Sequence, residues 1–232
     1  KLRTHDPATG EVPVDKMWDA VLQTKQLKDD LPNTQNPTPP PTRTQSGPNP
    51  DAVGPSNGNT RANSGVTSGR IDAIWVDLAD ATGKTVWVGG RCGGLWKTTD
   101  ITLSPANWAP VNDYMVNLSI AAITQDPTDH NIMYMCTGES FFEARSLRGN
   151  GVFKSTDHGV TWSQLSSTNN ASYYYCTRIL CDYQGNIYVG TQSGLFRSTK
   201  ASGGAAWVNI TPSGVSAAVS DLEISSTTVA GR

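Results

Sequence analysis

The chain has 232 residues, enough to bury a hydrophobic core in one large domain or two small ones. Charged residues make up 16% of it and the net charge is -2, so it lacks the basic surface that nucleic acid or an anionic membrane would attract. No apolar stretch approaches the roughly 18 residues of a membrane-spanning helix. We therefore expect no nucleic acid among its partners and no membrane insertion.

The first 69 residues predict one helix and a linker. Pro13 precedes five apolar residues at helical spacing, which predict a helical N-terminal segment over 1–31: Val14, Met17, Trp18, Val21 and Leu22. Residues 32–69 are so rich in Pro, Gly, Asn, Ser and Thr that we expect an extended linker. Lys1 does not begin a signal sequence, so either a signal has been removed or the chain is an internal piece.

Three segments that follow Gly69 repeat one another. Each has an apolar run ending in an aspartate, a turn, a second strand, a glycine-containing turn, a third strand and a tryptophan. The aspartates are Asp77, Asp126 and Asp182, and the tryptophans are Trp108, Trp162 and Trp207. Short strands at this period, without intervening helices, predict an all-β fold of four-stranded antiparallel β-propeller blades. We place the blades at about 70–112, 119–168 and 173–214, with a fourth beginning near 218.

Three blades and the start of a fourth make only a partial β-propeller, since propellers usually close with four to eight blades. The open blade faces would expose apolar surface and unpaired strand edges to water. We therefore expect residues 70–232 to be the N-terminal part of a propeller. The remainder of its own chain or a covering protein partner would complete it.

The stretch "GVFKSTDHGVTWSQL" can be interpreted as a catalytic site or as a turn. Asp157 and His158 would be the catalytic partners in the first interpretation. In the second, the stretch is the hairpin tip between the third and fourth strands of a blade. Asp157 could then accept backbone hydrogen bonds, Gly159 could adopt a positive φ, and Trp162 could pack between blades. The spacing favours the turn.

Five residues of this stretch resemble the Asp-box, or BNR, repeat of sialidases, sortilin-like propellers and xyloglucanase-like glycosidases: Ser155, Asp157, Gly159, Thr161 and Trp162. The match is degenerate in the other blades, at "TTDITLSPANW" and "STKASGGAAW". Residues 47–232 resemble the sortilin-like propellers of large exported bacterial surface proteins, many of them cargo of type IX secretion. The resemblance implies a secreted or cell-surface protein whose Asp-box turns lie on the face away from the usual ligand site.

The resemblance also bears on catalysis. In xyloglucanase-like relatives, a catalytic aspartate lies two residues before a Gly-Gly pair at the end of a first-blade strand. Here Arg91 stands two residues before Gly93, and an arginine cannot act as a general acid or base near neutral pH. A sialidase-like site needs a cluster of arginines, and one sequence does not show that they converge. We predict no catalytic residue, no metal ligand and no cofactor in this chain.

A ligand site is predicted in the insertion "ESFFEARSLRGN", residues 139–150, between the second and third strands of the second blade. Its aromatic and charged groups suit a glycan or a protein partner: Glu139, Phe141, Phe142, Glu143, Arg145 and Arg148. The alternative is that the two phenylalanines cap the blade and the charges are solvated.

Two functional hypotheses follow. The first is an exported, non-enzymatic propeller that binds a glycan or protein partner, or is a structural part of a larger cell-surface assembly. The alternative is a polysaccharide-active glycoside hydrolase, xyloglucanase-like or sialidase-like, whose catalytic carboxylates lie largely outside this chain. A pair of facing carboxylates about 5 to 10 Å apart would favour the hydrolase.

The four cysteines lack the CxxC pairs of a structural zinc site: Cys92, Cys136, Cys176 and Cys181. Buried free thiols are one interpretation, and a disulfide with three possible pairings is the other. If a disulfide forms, Cys92 with Cys136 is the favoured pair, because both lie near the ends of second strands in adjacent blades.

Overall fold

The computed structural model describes residues 70–112, 115–139, 146–214 and 217–225, together with Asp19, Leu22 and Gln23. The chain divides into two units, Lys1–Ser46 and Gly47–Arg232. The predicted N-terminal helix lies outside the described residues except at Asp19, Leu22 and Gln23, and the predicted linker lies wholly outside them. Every element given below belongs to the second unit.

The second unit contains three antiparallel sheets of four strands each. The first sheet consists of β1 (Ile71–Val76), β2 (Val86–Gly90), β3 (Gly94–Thr98) and β4 (Ala109–Pro110). The second consists of β5 (Ile120–Gln125), β6 (Met133–Thr137), β7 (Val152–Ser155) and β8 (Ser163–Gln164). The third consists of β9 (Cys176–Cys181), β10 (Ile187–Thr191), β11 (Gly194–Ser198) and β12 (Val208–Asn209). Two 3-10 helices, Ser166–Thr168 and Ala171–Tyr173, connect the second sheet to the third.

The three sheets repeat one local design. In each, the strands pair in chain order, and the first strand carries a β-bulge near its beginning, opposite the last two residues of the second strand. The aspartate that directly follows each first strand accepts a hydrogen bond from the backbone N–H two residues later. These aspartates are Asp77, Asp126 and Asp182. The predicted all-β fold of three four-stranded repeats is confirmed.

The sheets pack face to face around their first strands, because β5 lies against both β1 and β9. One apolar core fills the interface between the first and second sheets, and another fills the interface between the second and third. Trp162 packs against the former core and Trp207 against the latter. Each of these tryptophans therefore faces the preceding sheet. The arrangement is that of consecutive blades in a partial β-propeller.

Residues 217–225 continue beyond the third blade without a described strand. Val219 donates its N–H to the carbonyl of Thr191 at 3.0 Å, and its side chain lies against Gly190. Ile120 has the same relation to Gly89, where the second blade begins beside the first. The position of Val219 agrees with the predicted start of a fourth blade, which itself stays a prediction.

Candidate functional site

Loops leave the blades at two opposite ends, because neighbouring strands are antiparallel. The turn face carries the connections that follow the first and third strands of each blade. The loop face carries the connections that follow the second and fourth strands. The stretch 155–162 lies on the turn face, and the insertion 139–150 lies on the loop face.

Asp157 makes its hydrogen bonds inside its own turn. Its Oδ1 accepts from the Thr161 N–H at 2.8 Å and from Ser155 Oγ at 2.7 Å, and its Oδ2 accepts from Thr161 Oγ1 at 2.6 Å. The hydrogen bonds from Thr161 lower the pKa of Asp157 to about 2. Trp162 Nε1 donates to the Gly159 carbonyl at 3.0 Å and closes the turn. The carboxylate is thus an ionised acceptor that orders the hairpin.

His158 pairs with Asp77 of the preceding blade, and not with Asp157. Its Nε2 lies 2.7 Å from Asp77 Oδ2, and the Asp77 side chain is only 1% exposed. Asp77 Oδ1 also accepts from Gln125 Nε2 at 3.1 Å and from the Ala79 N–H at 3.0 Å. Burial raises the pKa of Asp77, but the hydrogen bonds from His158, Ala79 and Gln125 outweigh it, and the net shift is downward.

Gly159 brings the same turn into direct contact with the first blade. Its φ is 76°, and a Cβ on it would lie 2.4 Å from Trp87 Cη2. Trp87 is 2% exposed and also meets the His158 ring edge-on, with centroids 6.3 Å apart. The stretch 155–162 therefore fastens the second blade to the first.

The loop face contains a cluster of alternating charges, which we call the ion cluster: Arg70, Asp72, Arg91 and Glu139. Glu139 has a side chain that is 1% exposed; Arg91 Nη2 contacts its Oε2, and Arg70 Nη1 lies 3.4 Å from its Oε1. Arg70 Nε also lies 2.7 Å from Asp72 Oδ1. Two arginines therefore neutralise two carboxylates between the first two blades.

Arg148 joins the insertion to both of its neighbouring connections. Its guanidinium carbon lies 3.9 Å from the centroid of the Tyr174 ring, a cation–π contact with the connection to the third blade. Its backbone carbonyl accepts from Asn117 Nδ2 at 2.9 Å, in the connection from the first blade. The Glu139 N–H donates to the Leu147 carbonyl at 2.8 Å and closes the neck of the insertion.

Of the six predicted ligand-binding residues, the structure describes Glu139 and Arg148, which stand near the two ends of the insertion and have separate partners. The other four lie outside the described residues: Phe141, Phe142, Glu143 and Arg145. Sequence reasoning missed Arg70, Asp72 and Tyr174 as loop-face residues. The sequence singles out Arg91 as a replacement for a catalytic carboxylate and as one of five arginines available to a sialidase-like cluster, and its position at the end of a second strand was the available signal.

The first strands of the blades enclose a cavity of about 190 Å³ together with residues 221–223. Apolar side chains of β1, β5 and β9 line much of it, among them Ile74, which is 69% exposed. On the polar side, Arg178 Nε donates to Asp221 Oδ1 at 2.5 Å. This is the place of the central channel in a propeller.

The four cysteines are free thiols. The favoured pairing of Cys92 with Cys136 is wrong: Cys92 is exposed, whereas Cys136 is fully buried in the core that also holds Cys176. The reason is that the second strand of a blade faces the first strand of the next blade, and not its second strand. Among the described residues, no three metal-ligating side chains gather, and no helix is long and apolar enough to cross a membrane.

No protein-family model matches the chain, and no curated protein matches its sequence. Several solved structures are similar to it. The GH74 xyloglucanase of Xanthomonas campestris is 21% identical with a TM-score of 0.43, over 61% of this chain and 20% of that one. YCF48 of Cyanidioschyzon merolae is 15% identical with a TM-score of 0.43, over 60% of this chain and 36% of that one. The extracellular domain of the putative one component system BT4673 of B. thetaiotaomicron is 16% identical with a TM-score of 0.44, over 63% of this chain and 19% of that one.

Proposed function

We propose that the chain is part of an exported, non-enzymatic β-propeller that binds a glycan or protein partner through its loop face, in a larger cell-surface assembly. The observation that carries this proposal is the ion cluster. Its buried carboxylate, Glu139, is held by Arg70 and Arg91. On the described loop face, Asp72 and Glu139 are therefore held in ion pairs, whereas a glycosidase needs two carboxyl groups that face the scissile bond.

A glycosidase needs one carboxyl group that gives a proton and a second that acts as base or nucleophile. In the ion cluster, the carboxylates of Asp72 and Glu139 each contact an arginine side chain. The hydrolase alternative, xyloglucanase-like or sialidase-like, would have catalytic carboxylates that lie largely outside this chain.

The binding surface is the insertion 139–150. Its neck is closed by the bond between Glu139 and Leu147, and Arg148 is fixed on Tyr174. The sequence between them supplies Phe141, Phe142, Glu143 and Arg145. A segment that combines aromatic and charged residues is typical of surfaces that bind sugars or protein partners.

The turn from Ser155 to Trp162 is an Asp-box. The hydrogen bonds from Thr161 to Asp157 and the contact of Gly159 with Trp87 support a folding role for it. The proposal includes secretion or display on the bacterial outer surface, by the type IX route that many of the sortilin-like propellers it resembles use. It needs no cofactor.

The open blade faces are covered by the remainder of the same polypeptide or by a protein partner. Trp162 and Trp207 each pack on the preceding blade, and Trp108 has the equivalent place on the first blade. Val208, on the outermost strand of the third blade, is 61% exposed. Light scattering on residues 1–232 should therefore show self-association, and a cooperatively melting monomer would contradict this coverage.

A glycan array and a surface-protein pull-down test the binding role. A chain in which residues 140–146 are replaced by a short Gly-Ser linker should lose at least about tenfold in affinity, as expected when anchor residues are removed. Lys84→Ala, a charge deletion on the turn face, is the matched control and should leave binding unchanged. Binding that survives the loop replacement but is lost in the control would reverse the assignment of faces.

A further inference from the structure

Two cysteines meet at the interface between the second and third blades. Cys136 is the penultimate residue of β6, and Cys176 is the first residue of β9. Both side chains are 0% exposed and belong to the apolar core between these blades. Burial, followed by the nearby thiol of Cys176, raises the pKa of Cys136 well above its ordinary value.

The strand registers show which residues take the place of Cys136 in the other blades. Its partner in the ladder is Ala122, just after the bulge of the first strand. By the same register, its equivalents are Gly89 in the first blade and Gly190 in the third. Two of the three blades thus have a glycine at this position, and the middle blade has a cysteine.

Those glycines show how closely adjacent blades approach at this point. A Cβ added to Gly89 would lie 2.6 Å from the Cβ of Ile120, the first residue of β5. A Cβ added to Gly190 would lie 3.2 Å from the Cβ of Val219. A disulfide needs two Cβ atoms about 3.5 to 4.5 Å apart. At the equivalent position of the second interface, where both residues carry a Cβ, a separation slightly larger than those at the two glycines would match a disulfide.

We propose that Cys136 and Cys176, which carry free thiols in this structure, form a disulfide bond under oxidising conditions that joins the second blade to the third. One S–S bond forms between the two Sγ atoms as their S–H bonds break. The two protons and two electrons pass to a disulfide oxidant, such as oxidised glutathione, which is cleaved to two thiols. This bond is independent of any ligand on the loop face.

The bond forms before the third blade packs on the second. Thiol–disulfide exchange requires a thiolate, and burial together with the neighbouring thiol raises the pKa of Cys136 well above its ordinary value. The folded, reduced protein should therefore oxidise slowly. Refolding in a glutathione redox buffer should oxidise the pair rapidly, whichever compartment the protein occupies.

Tryptic mapping without reduction tests the pairing directly, because each cysteine falls in a different peptide. These peptides are Cys92–Lys97, Thr98–Arg145, Ser155–Arg178 and Ile179–Arg197. The full chain, refolded with oxidised and reduced glutathione and recovered from the soluble fraction, should yield Thr98–Arg145 linked to Ser155–Arg178. Four unlinked peptides, or a dominant link through Cys92 or Cys181, would overturn the proposal.

Thermal unfolding gives a second readout. A cross-link over this span of chain should raise the Tm of the oxidised protein by about 5–10 °C over the reduced protein. The double variant Cys92→Ser with Cys181→Ser is the matched control and should keep both the link and the shift. Loss of the Tm difference in that control would contradict the proposal. An equal Tm with and without reductant, in a protein whose mapping shows the link, would also show that the bond does not stabilise the junction between the blades.

Discussion

His158 Nε2 lies 2.7 Å from Asp77 Oδ2, across the interface between the second blade and the first. The two residues are 81 positions apart in the chain. The histidine belongs to the turn that follows a third strand, and the aspartate directly follows a first strand. Together with the contact of Gly159 and Trp87, this contact holds the turn of the second blade against the first blade.

Removing the imidazole should weaken the contact between the first and second blades. We expect His158→Ala to lower the free energy of unfolding by about 1–3 kcal/mol, because Asp77 stays buried with one partner fewer. Urea unfolding measures the change. Val160→Ala, in the same turn at a side chain that is 72% exposed, is the control and should stay within about 0.5 kcal/mol of wild type. Equal changes in the free energy of unfolding for the two substitutions would contradict the role of His158 in holding the blades together.

The same contact predicts a dependence on pH. The pKa of Asp77 is lowered in the folded protein from an ordinary value of 3.8, so its carboxylate stabilises the fold above that value. This stability is lost as the pH falls through the lowered pKa. The difference in unfolding midpoint between wild type and Asp77→Asn should therefore be larger at pH 7 than at pH 3. A difference in unfolding midpoint that is larger at pH 3 than at pH 7 would contradict a lowered pKa for Asp77.

Gly159→Ala tests the close approach of the turn to Trp87. The new Cβ would need both a positive φ and a displacement of the buried indole, at a cost of about 2–4 kcal/mol. Gly83→Ala separates the two causes, because Gly83 has a φ of 67° and nothing within 4 Å of its added Cβ. We expect that control to cost only about 1 kcal/mol. Equal losses in the two variants would show that backbone strain alone is responsible.

Asp157→Ala should lower the Tm and leave the affinity of each folded molecule for its ligand unchanged. The reason is that Asp157 accepts bonds from Ser155 and Thr161 inside its own turn, on the face opposite the insertion. Differential scanning fluorimetry alongside a binding titration measures both quantities. An unchanged Tm with abolished binding would give the turn a functional role.

Arg91→Ala should destabilise the protein, because the buried carboxylate of Glu139 in the ion cluster loses one of its partners. Among the described residues, Glu139 would keep only the longer contact to Arg70, and we expect a loss of about 1–3 kcal/mol in the free energy of unfolding. Arg91→Ala combined with Glu139→Gln should recover part of that loss, because the charge is removed with its partner. A double variant less stable than the single one would show that the ion pair is not the source of the effect.

The three sheets could be predicted from the sequence because their signals are local. Alternating apolar residues, the aspartates that end the first strands and the tryptophans that precede the fourth strands recur at matching offsets. Contacts between blades do not produce a recurring offset along the sequence. The pairs His158 with Asp77 and Arg91 with Glu139 depend on which strand faces which, and the expected pairing of Cys92 with Cys136 failed for that reason. Gly89 and Gly190 were the one available hint, since a glycine inside a strand often marks close approach of another backbone.

The central claim is that the loop face binds a ligand without cleaving it, and one paired measurement tests it most directly. A ligand selected on the glycan array is titrated against wild type and Arg148→Ala by calorimetry, and each sample is then assayed for new reducing ends. We predict saturable binding that weakens about three- to tenfold when the Arg148–Tyr174 contact is lost, with no reducing ends released. Release of reducing ends by wild type that is abolished in Glu139→Gln would contradict the account, because it would make the paired carboxylate a catalytic group.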